Sequence, residues 1–477
     1  MTELHDLTAL EMAAAVRRRE VSPVELVAHA LERVDRLDAQ VGAFVTVTAD
    51  LALEQAEEAE QRVMSSTDPS DLPPLIGVPT AIKDLNMTAG ISTQFGSRAM
   101  EGFVPALDDH VVTLLRRAGT ISIGKTATPE FGLPCYTETD VGPPARTPWD
   151  LSRSAGGSSG GAGAAVASGF LPFAQGSDGG GSIRIPASVC GLVGVKTARG
   201  RVSRGPMDID STRLGVMGPL ARTVRDAAAF LDAVAIPQPG DPDPLPPLPP
   251  GESFLGWCDR EPPRLRIGRF ADSPMESELD RQVRGAWESA ALLLSALGHE
   301  IVDVDAPLPA EAIPAFETVW CVSAATIPVA TESEQLLRPL TRHLRERGRG
   351  ITGPQFAAAV GQLNLFARRA IESSADLDVV LTPTLALLPR PVGWFIGDDG
   401  DPAADFDRQK RFTPYTAMYN ATGQPAVSLP MYHSSEGLPI GMMLVGRRAG
   451  EATLFSLAAQ LERALPWADR RAPIRDA

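Results

Sequence analysis

The sequence predicts an α/β protein, a single α/β/α domain with a central mixed β-sheet covered by helices. Short apolar segments alternate along the chain with amphipathic stretches that are long enough for helices, which is typical of this class. The second half contains a β-α-β pattern, with strands at 265–270 and 300–304 around a helix at 279–297. The 477 residues, 44% of them apolar, are enough for a large core, and we expect one domain over residues 1–477.

The first half of the chain shows the same alternation in shorter elements. Its predicted elements are two helices within 8–36, a helix at 49–64, an apolar segment at 75–84, a helix at 111–118 and a strand at 121–124. Ser22 is a good N-cap for the second helix, and Lys83 is a single lysine inside the apolar segment.

Two later segments do not have the pattern of regular elements. Residues 238–263 are dense in proline and predict a stiff connector on the surface. Residues 392–407 are rich in Gly and Asp and are a candidate lid that carries Trp394 and Phe395. The chain then closes with strands at 426–429 and 441–445 and a helix at 452–464.

Composition disfavours several classes of protein. The formal charge of −15 offers no basic stripe against phosphate, so we expect no nucleic-acid partner. No apolar run is long enough to predict a membrane span, and the first residues lack the pattern of a signal peptide. The cysteines lie far apart without a C-x-x-C pair, which favours thiols in a reducing cytoplasm, with disulfides or zinc as the alternative. A monomer or a homodimer is expected.

The most distinctive stretch is 153–196, which contains two glycine–serine clusters. The first covers 156–161 and the second covers 179–182. Glycine this dense is costly unless something must approach the backbone closely. Between the clusters, residues 161–169 suit a tightly packed helix and 171–174 suit a short buried strand. Ser182 would begin a helix on a loop of bare N–H groups, a place where a transient oxyanion can be stabilised.

An active serine needs a general base, and the sequence leaves two choices for it. The chain has six histidines, none beside either cluster, and although 156–160 match G-x-S-x-G, the segment before Ser158 is too polar for the buried strand of a nucleophile elbow. Lys83 is the better candidate, because desolvation among apolar neighbours would lower its pKa. The alternative, a surface lysine paired with Asp84, is equally compatible with the spacing. Neither cluster has the ending of a P-loop or the third glycine of a dinucleotide fingerprint.

Taken together, the motifs resemble the amidase signature hydrolases, with a signature core at about 70–230. Each motif alone is weak, but their order along most of the chain is specific. The matching pieces are Gly77-Val78-Pro79 with Lys83-Asp84, Gly124-Lys125-Thr126, Pro129-Glu130-Phe131, Arg146-Thr147-Pro148-Trp149, the serine stretch, Gly200-Arg201-Val202-Ser203, Gly423-Gln424-Pro425 and Gly437-Leu438-Pro439-Ile440-Gly441.

The resemblance implies a Ser–cisSer–Lys catalytic set and no cofactor or metal. It places the nucleophile on Ser182, the bridging serine, in a cis peptide, on Ser158, and the base on Lys83. It places the oxyanion donors on the backbone N–H groups of Gly179, Gly180, Gly181 and Ser182. The family often has threonine where this chain has Gly179, and the all-glycine version is similar to a branch that hydrolyses nylon-type oligomer amides and urethanes.

Further residues are expected to support the site or to line it. Ser159 is predicted to support it by hydrogen bonding, and Asp178 and Arg184 are predicted to form a buried pair that holds the loop. Substrate walls are predicted from the aromatic residues and cysteines nearest the motifs, with plain core packing as the alternative for each aromatic: Cys135, Tyr136, Trp320, Cys321, Trp394, Phe395, Tyr415 and Tyr419.

The predicted function is therefore a cytoplasmic amidohydrolase acting on linear amides through an acyl-enzyme. Its substrate would be a small or mid-sized apolar acyl compound, with esters, anilides and carbamates or urethanes as further possibilities. The alternative is the glutaminase subunit of a tRNA-dependent amidotransferase, which would need a partner chain. A catalytically inactive binding protein is disfavoured, because all three predicted catalytic residues are present.

Overall fold

A computed structural model describes residues 3–207, 210–275 and 277–476. Its strands form one large sheet and one small sheet. The strands are β1 Phe44–Val47, β2 Pro79–Lys83, β3 Ile121–Thr126, β4 Phe173–Asp178, β5 Val193–Lys196, β6 Val216–Ala221, β7 Arg266–Arg269, β8 Glu300–Asp303, β9 Val379–Pro383, β10 Ala426–His433 and β11 Pro439–Gly446.

The large sheet has eight strands in the order β4-β6-β5-β10-β11-β9-β7-β8. Its first part, from β4 to β9, pairs antiparallel, whereas β9, β7 and β8 pair in parallel. The parallel β7/β8 pair is the predicted β-α-β unit, and the mixed sheet confirms the predicted fold class. The small sheet, which sequence reasoning did not separate from the large one, has the order β1-β3-β2.

Helices flank the sheets. They are α1 Ala9–Arg17, α2 Pro23–Val41, α3 Ala49–Ser65, α4 His110–Arg117, α5 Gly160–Ala167, α6 Arg184–Cys190, α7 Val224–Val234, α8 Phe254–Trp257, α9 Arg281–Ala296, α10 Ala312–Thr326, α11 Pro339–Arg349, α12 Gly353–Ser373, α13 Pro402–Phe412, α14 Met418–Thr422 and α15 Glu451–Ala464. The predicted Ser22 cap is present, since its hydroxyl accepts the Glu25 N–H in a reciprocal capping box.

The core lies on both faces of the large sheet, as β5 illustrates. Val193 and Val195 belong to an apolar cluster that includes Phe230 of α7 and Phe455 of α15. Between them, the Cα of Gly194 faces α6 so closely that a Cβ there would lie 2.4 Å from the Ala187 side chain. Because neighbouring residues of a strand point to opposite faces, β5 is covered by helices on both sides.

Three sequence predictions need correction in detail. The strand predicted at 171–174 is β4, which begins later, at Phe173, and continues to Asp178. It extends past the apolar run because the polar Gln175 is buried and hydrogen-bonded within the fold. The connector at 238–263 is mostly exposed, but Phe254 and Cys258 are buried in the core, so it is partly a packed element. The candidate lid at 392–407 ends inside α13, and Phe395 is buried.

Among the described helices, none has the length and apolar character that crossing a membrane requires. The four cysteines are buried and unbridged.

Candidate active site

Lys83 is the last residue of β2 and is completely buried. Its backbone N–H donates to Gln175 Oε1 of β4 at 3.0 Å, which joins the small sheet to the large one beside the site. Its Nζ lies 2.7 Å from Ser158 Oγ and 3.1 Å from Ser177 Oγ. The alternative of a surface lysine paired with Asp84 is therefore wrong.

The surroundings of Lys83 favour its neutral amine. Burial lowers the pKa of Lys83 well below its ordinary value, and the charge of Asp178 opposes this only in part. No carboxylate of the described residues lies within ion-pairing distance of Nζ. A neutral amine can accept a proton from a hydroxyl, so the Lys83–Ser158 contact has the chemistry of a base and its donor.

Ser158 lies in the loop before α5, and the peptide bond between Gly157 and Ser158 is cis. Glycine is required at 157 because a Cβ there would lie 2.7 Å from the backbone nitrogen of Tyr136. The next residue, Ser159, donates its N–H to the carbonyl of Ser182 at 3.1 Å, and its hydroxyl donates to the Ser177 carbonyl at 3.2 Å. Ser159 thus joins the two serine loops by hydrogen bonds.

Ser182 lies between β4 and α6 and lines the main cavity. Its hydroxyl makes no hydrogen bond to any residue that the structure describes, Ser158 included. The expected helix cap is different, because the N-cap position is Ile183 and not Ser182. The Asp178 carboxylate accepts the Ile183 N–H at 3.1 Å in place of a capping serine, which leaves the Ser182 hydroxyl open to the cavity.

Asp178 and Arg184 form a fully buried, two-pronged ion pair with both N···O distances at 2.9 Å. Burial opposes ionisation of Asp178, but the charge and hydrogen bonds of Arg184 outweigh it and hold the pKa of Asp178 below its usual range. Arg184 also donates to the Thr416 carbonyl at 2.8 Å and to Asn420 Oδ1 at 2.7 Å. The pair therefore connects the loop that carries Ser182 to the segment around α14.

The glycine loop at 179–181 presents fewer free donors than predicted. The N–H of Gly181 donates to Asp178 Oδ1 at 2.8 Å, so it is not available to an oxyanion, which corrects the prediction for Gly181. The N–H groups of Gly179, Gly180 and Ser182 have no acceptor among the described residues. Of these three residues, Gly180 and Ser182 line the cavity.

The cavity beside Ser182 has a volume of about 140 Å³ and a largely apolar wall. Phe316 and Trp320 of α10 form a stacked pair, with ring centroids 5.7 Å apart, next to the glycine loop. Of the predicted wall residues, Cys135 and Trp320 line the cavity. The others lie outside its lining: Tyr136, Cys321, Trp394, Phe395, Tyr415 and Tyr419.

The aromatic residues outside the lining have structural contacts instead. The Tyr136 ring stacks on Phe395 at 4.8 Å, and its hydroxyl donates to the buried Asp405 at 2.6 Å. The Tyr415 hydroxyl donates to the carbonyl of Ala271 at 2.6 Å. Core packing, the alternative for each aromatic, therefore describes these residues, and Phe395 holds the candidate lid segment to the core.

Among the described residues, the acidic and basic side chains of the cavity lining are Glu317 of α10 and Lys410 of α13. They pair with each other at 2.7 Å, and Arg347 donates to the other oxygen of Glu317 at 3.0 Å. Although Glu317 is partly buried, these hydrogen bonds and charges lower its pKa. The charges of the wall are thus satisfied within the protein.

Sequence reasoning missed four residues that hold the site. They are Gln175, Ser177, Thr416 and Asn420. Gln175 and Ser177 precede the second cluster on β4, where a polar alternation in a buried strand was the available signal. Thr416 and Asn420 lie just before the Gly423-Gln424-Pro425 motif, and only that proximity could have pointed to them.

Comparisons with known proteins agree with this architecture. A family model described as Amidase matches residues 25–455. AmiB2 of Mycobacterium tuberculosis is 39% identical over 92% of this chain and 92% of its own length. The 6-aminohexanoate-cyclic-dimer hydrolase of Paenarthrobacter ureafaciens is 35% identical over 97% of this chain and 96% of its own. One subunit of the glutamyl-tRNA(Gln) amidotransferase of Synechococcus sp. is 36% identical over 95% of this chain and 96% of its own.

Two solved structures extend the likeness to three dimensions. The structure of 6-aminohexanoate cyclic dimer hydrolase complexed with substrate superposes with a TM-score of 0.90 at 32% identity, covering 99% of this chain and all of that one. A bacterial aryl acylamidase of the amidase signature enzymes has a TM-score of 0.88 at 26% identity, covering 100% and 99%. With the motifs, the fold and the family model in agreement over nearly its whole length, the chain belongs to the amidase signature family of hydrolases.

Proposed function

We propose that the chain hydrolyses the C–N bond of small or mid-sized, apolar amides through an acyl-enzyme on Ser182. The observation that carries this proposal is the contact of 2.7 Å between Nζ of Lys83 and Oγ of Ser158, in an interior where no carboxylate of the described residues pairs with the lysine. Such a lysine is neutral at a lower pH than a free one and can act as a base.

In the proposed acylation step, Lys83 takes the proton of Ser158 as Ser158 takes that of Ser182. This relay requires the Ser182 hydroxyl, which has no partner among the described residues, to turn onto Ser158 when the substrate enters. The Ser182 oxygen then bonds to the carbonyl carbon, and the carbonyl oxygen becomes an oxyanion facing free backbone N–H groups.

The remaining steps return the protons in the reverse order. Ser158 gives its proton to the leaving nitrogen and is reprotonated by the Lys83 ammonium, so that the C–N bond breaks and the amine departs. Water then attacks the ester, loses a proton to the same relay, and releases the acid together with the free Ser182 hydroxyl.

The cavity supports an uncharged substrate with a flat or aliphatic apolar group. Phe316 and Trp320 offer an aromatic surface beside the glycine loop, and the charges of Glu317 and Lys410 satisfy each other. A free carboxylate or ammonium on the substrate would have to break that pair or remain unpaired, which costs free energy. Anilides, esters and carbamates follow the same chemical route and are proposed as further substrates.

The glutaminase of a tRNA-dependent amidotransferase remains a second candidate, because one subunit of such an enzyme is a relative over most of the chain. The cavity favours the stand-alone amidase, since glutamine carries two charges for which the wall offers no unpaired partner among the described residues. Purifying the chain alone and assaying glutamine against neutral amides separates the two candidates.

The test is turnover and acyl trapping with a panel of chromogenic anilides, esters and carbamates. Ser182→Ala should abolish turnover and leave the fold intact, and a trapped acyl group should be found on Ser182 by mass spectrometry. Ser168→Ala is the matched control, because the Ser168 hydroxyl is buried without a partner among the described residues at the C-cap of α5, the opposite end of that helix from Ser158. An acyl group on any other serine would contradict the assignment.

A further inference from the structure

The peptide unit between Gly180 and Gly181 is held from both sides. The Thr416 hydroxyl donates to the carbonyl oxygen of Gly180 at 2.6 Å. On the other side, the N–H of Gly181 donates to Asp178 Oδ1 at 2.8 Å. Both polar groups of one peptide plane are thus fixed by side chains, one of them 236 residues away in sequence.

Close packing between Thr416 and Gly181 reinforces the hydrogen bond from Thr416 to the Gly180 carbonyl. Gly181 has φ of +135°, and a Cβ there would lie 2.5 Å from Thr416 Oγ1 and 2.7 Å from Ile185 Cδ1. Thr416 is itself fully buried, and its own carbonyl accepts from Arg184 Nη1 at 2.8 Å. The loop at 181 is therefore built around the Thr416 side chain, and only glycine fits there.

The orientation of this plane decides whether the Gly180 carbonyl oxygen lies beside the neighbouring N–H donors or away from them. In a trans peptide, the C=O and N–H groups point in opposite directions. The Gly181 carbonyl accepts the Ile185 N–H at 2.7 Å, so the Ser182 N–H points away from α6. A peptide plane can turn through opposite rotations about the two bonds that flank it, while the planes on either side stay nearly in place. If the plane between Gly180 and Gly181 turned in this way, the Gly180 carbonyl oxygen could face the place of the oxyanion, beside the N–H groups of Gly180 and Ser182.

We propose that Thr416 is a positioning residue that keeps the Gly180 carbonyl oxygen turned away from the place of the oxyanion, so that the N–H groups of Gly180 and Ser182 face the reacting carbonyl oxygen without a competing acceptor. Thr416 acts through the Gly180 carbonyl and does not line the cavity. Its contribution appears only as negative charge develops on that oxygen, so it acts on the transition state more than on substrate binding. The inference rests on the proposed function, because it assigns a role within the same site.

The test compares kcat and KM of Thr416→Val, which keeps the shape and removes the donor, with those of Thr416→Ser, which keeps the hydroxyl. We expect Thr416→Val to lower kcat by about 10- to 100-fold with KM within a factor of about three, since loss of a whole oxyanion donor costs about 10²- to 10³-fold. Thr416→Ser should stay within about threefold of the wild-type kcat. Thr384→Val is the matched control, because Thr384 is also buried and bonds to Ser428 in the sheet.

A second readout separates positioning from a general loss of stability. A trifluoromethyl ketone analogue of the cleaved substrate, which forms a tetrahedral adduct, should bind Thr416→Val more weakly by the same factor as the loss in kcat. Binding of an uncleaved amide, measured in the Ser182→Ala background, should not change. If Thr416→Val fails to fold, Thr416→Ala against Thr416→Ser gives the same comparison of a missing with a retained hydroxyl.

The outcomes distinguish this inference from the function on which it rests. If the wild type cleaves amides in a Ser182-dependent way and Thr416→Val keeps its kcat within about threefold, the positioning role is wrong and the proposed function stands. Equal losses of kcat in Thr416→Val and Thr384→Val would likewise overturn it. If the wild type cleaves no member of the panel and forms no adduct on Ser182, the proposed function itself is wrong.

Discussion

Two buried lysines lie side by side in the small sheet and differ in what surrounds them. Lys83 ends β2, and Lys125 lies on β3, where it is paired in register with Ile82. Neither side chain is exposed. Lys125 Nζ lies 3.7 Å from Asp84 and donates to the Asn86 carbonyl at 2.6 Å, whereas Lys83 Nζ meets serine hydroxyls.

The difference shows that burial alone does not make a base. Burial lowers the pKa of both lysines, but Asp84 limits the change at Lys125, whose pKa is about 8, while burial raises the pKa of Asp84 to about 6. Between those values both members of that pair are charged, so Lys125 acts as a cation that holds Asp84. Lys83 has hydroxyl partners, which a neutral amine can deprotonate. We therefore expect one lysine to matter for turnover and the other for stability.

The largest effect is expected from Lys83→Met, which should lower kcat/KM by about 10³-fold or more through loss of the base. Its free energy of unfolding at pH 7 should be unchanged or higher. The pKa of Lys83 is lowered by folding, so the folded state binds fewer protons than the unfolded chain and this lysine destabilises the wild type below its ordinary pKa. The stability advantage of Lys83→Met should therefore shrink as the pH rises toward about 10.4. If Lys83→Met lost much of its stability and kept its kcat, Lys83 would be the structural lysine, which would contradict the comparison with Lys125.

Lys125→Met should show the opposite pattern. Removing one partner leaves Asp84 buried without its cation, so we expect the free energy of unfolding to fall by about 3 kcal/mol in a denaturant titration. The double variant with Asp84→Asn should recover part of that loss, because no buried charge is left unpaired. Any folded Lys125→Met protein should keep most of the wild-type kcat. An unchanged unfolding midpoint would show that the two lysines do not differ in this way.

Ser158→Ala tests whether the contact of Lys83 with a hydroxyl carries the proton. It should lower kcat by about 10²-fold, less than Ser182→Ala, because a water can replace a relay but not a nucleophile. The measurement is the steady-state kcat of both variants. A Ser158→Ala variant as active as the wild type would mean that the proton of Ser182 reaches Lys83 without passing through Ser158.

The smallest effect is expected from Gly179→Thr, which restores the side chain that the family often has here. A Cβ at 179 would lie 3.6 Å from the Trp320 ring, so the larger threonine side chain would press against the indole and narrow the cavity. We expect KM for anilides with bulky acyl groups to rise about tenfold, with little change for acetyl compounds. If Gly179→Thr and the wild type had equal KM values for both the bulky and the acetyl compounds, Gly179 would not shape the part of the cavity that receives the acyl group.

The sequence predicted the parts of the site whose chemistry is local. Lys83 stands out as a lysine in an apolar segment, and the glycine–serine clusters mark the loops of Ser158 and Ser182. The donor at Gly181 was predicted wrongly, because residue types do not encode which way a peptide plane faces. Thr416 was missed because its contact with Gly180 is set by tertiary packing, which no local pattern contains.

In the fold, too, features set by local sequence were predictable and features set by contacts between distant segments were not. The β-α-β unit was predicted from its periodicity, since each of its elements carries its own apolar pattern. That β2 leaves the large sheet and pairs with β3 was not predicted, because strand partners depend on contacts between distant segments. Residues such as Tyr415 were predicted as walls for their chemistry alone, and burial placed them in the core.

The pH dependence of Ser182 acylation tests the central claim, that a neutral Lys83 drives the reaction, most directly. The rate of acylation by a slowly deacylating ester should rise through a single limb whose midpoint lies well below about 10.4, the pKa of a free lysine. That limb should be absent in Lys83→Ala, and Lys83→Arg should also fail, since a guanidinium does not give up its proton at working pH. A limb that persists in Lys83→Ala, or near-full activity of Lys83→Arg, would contradict the account.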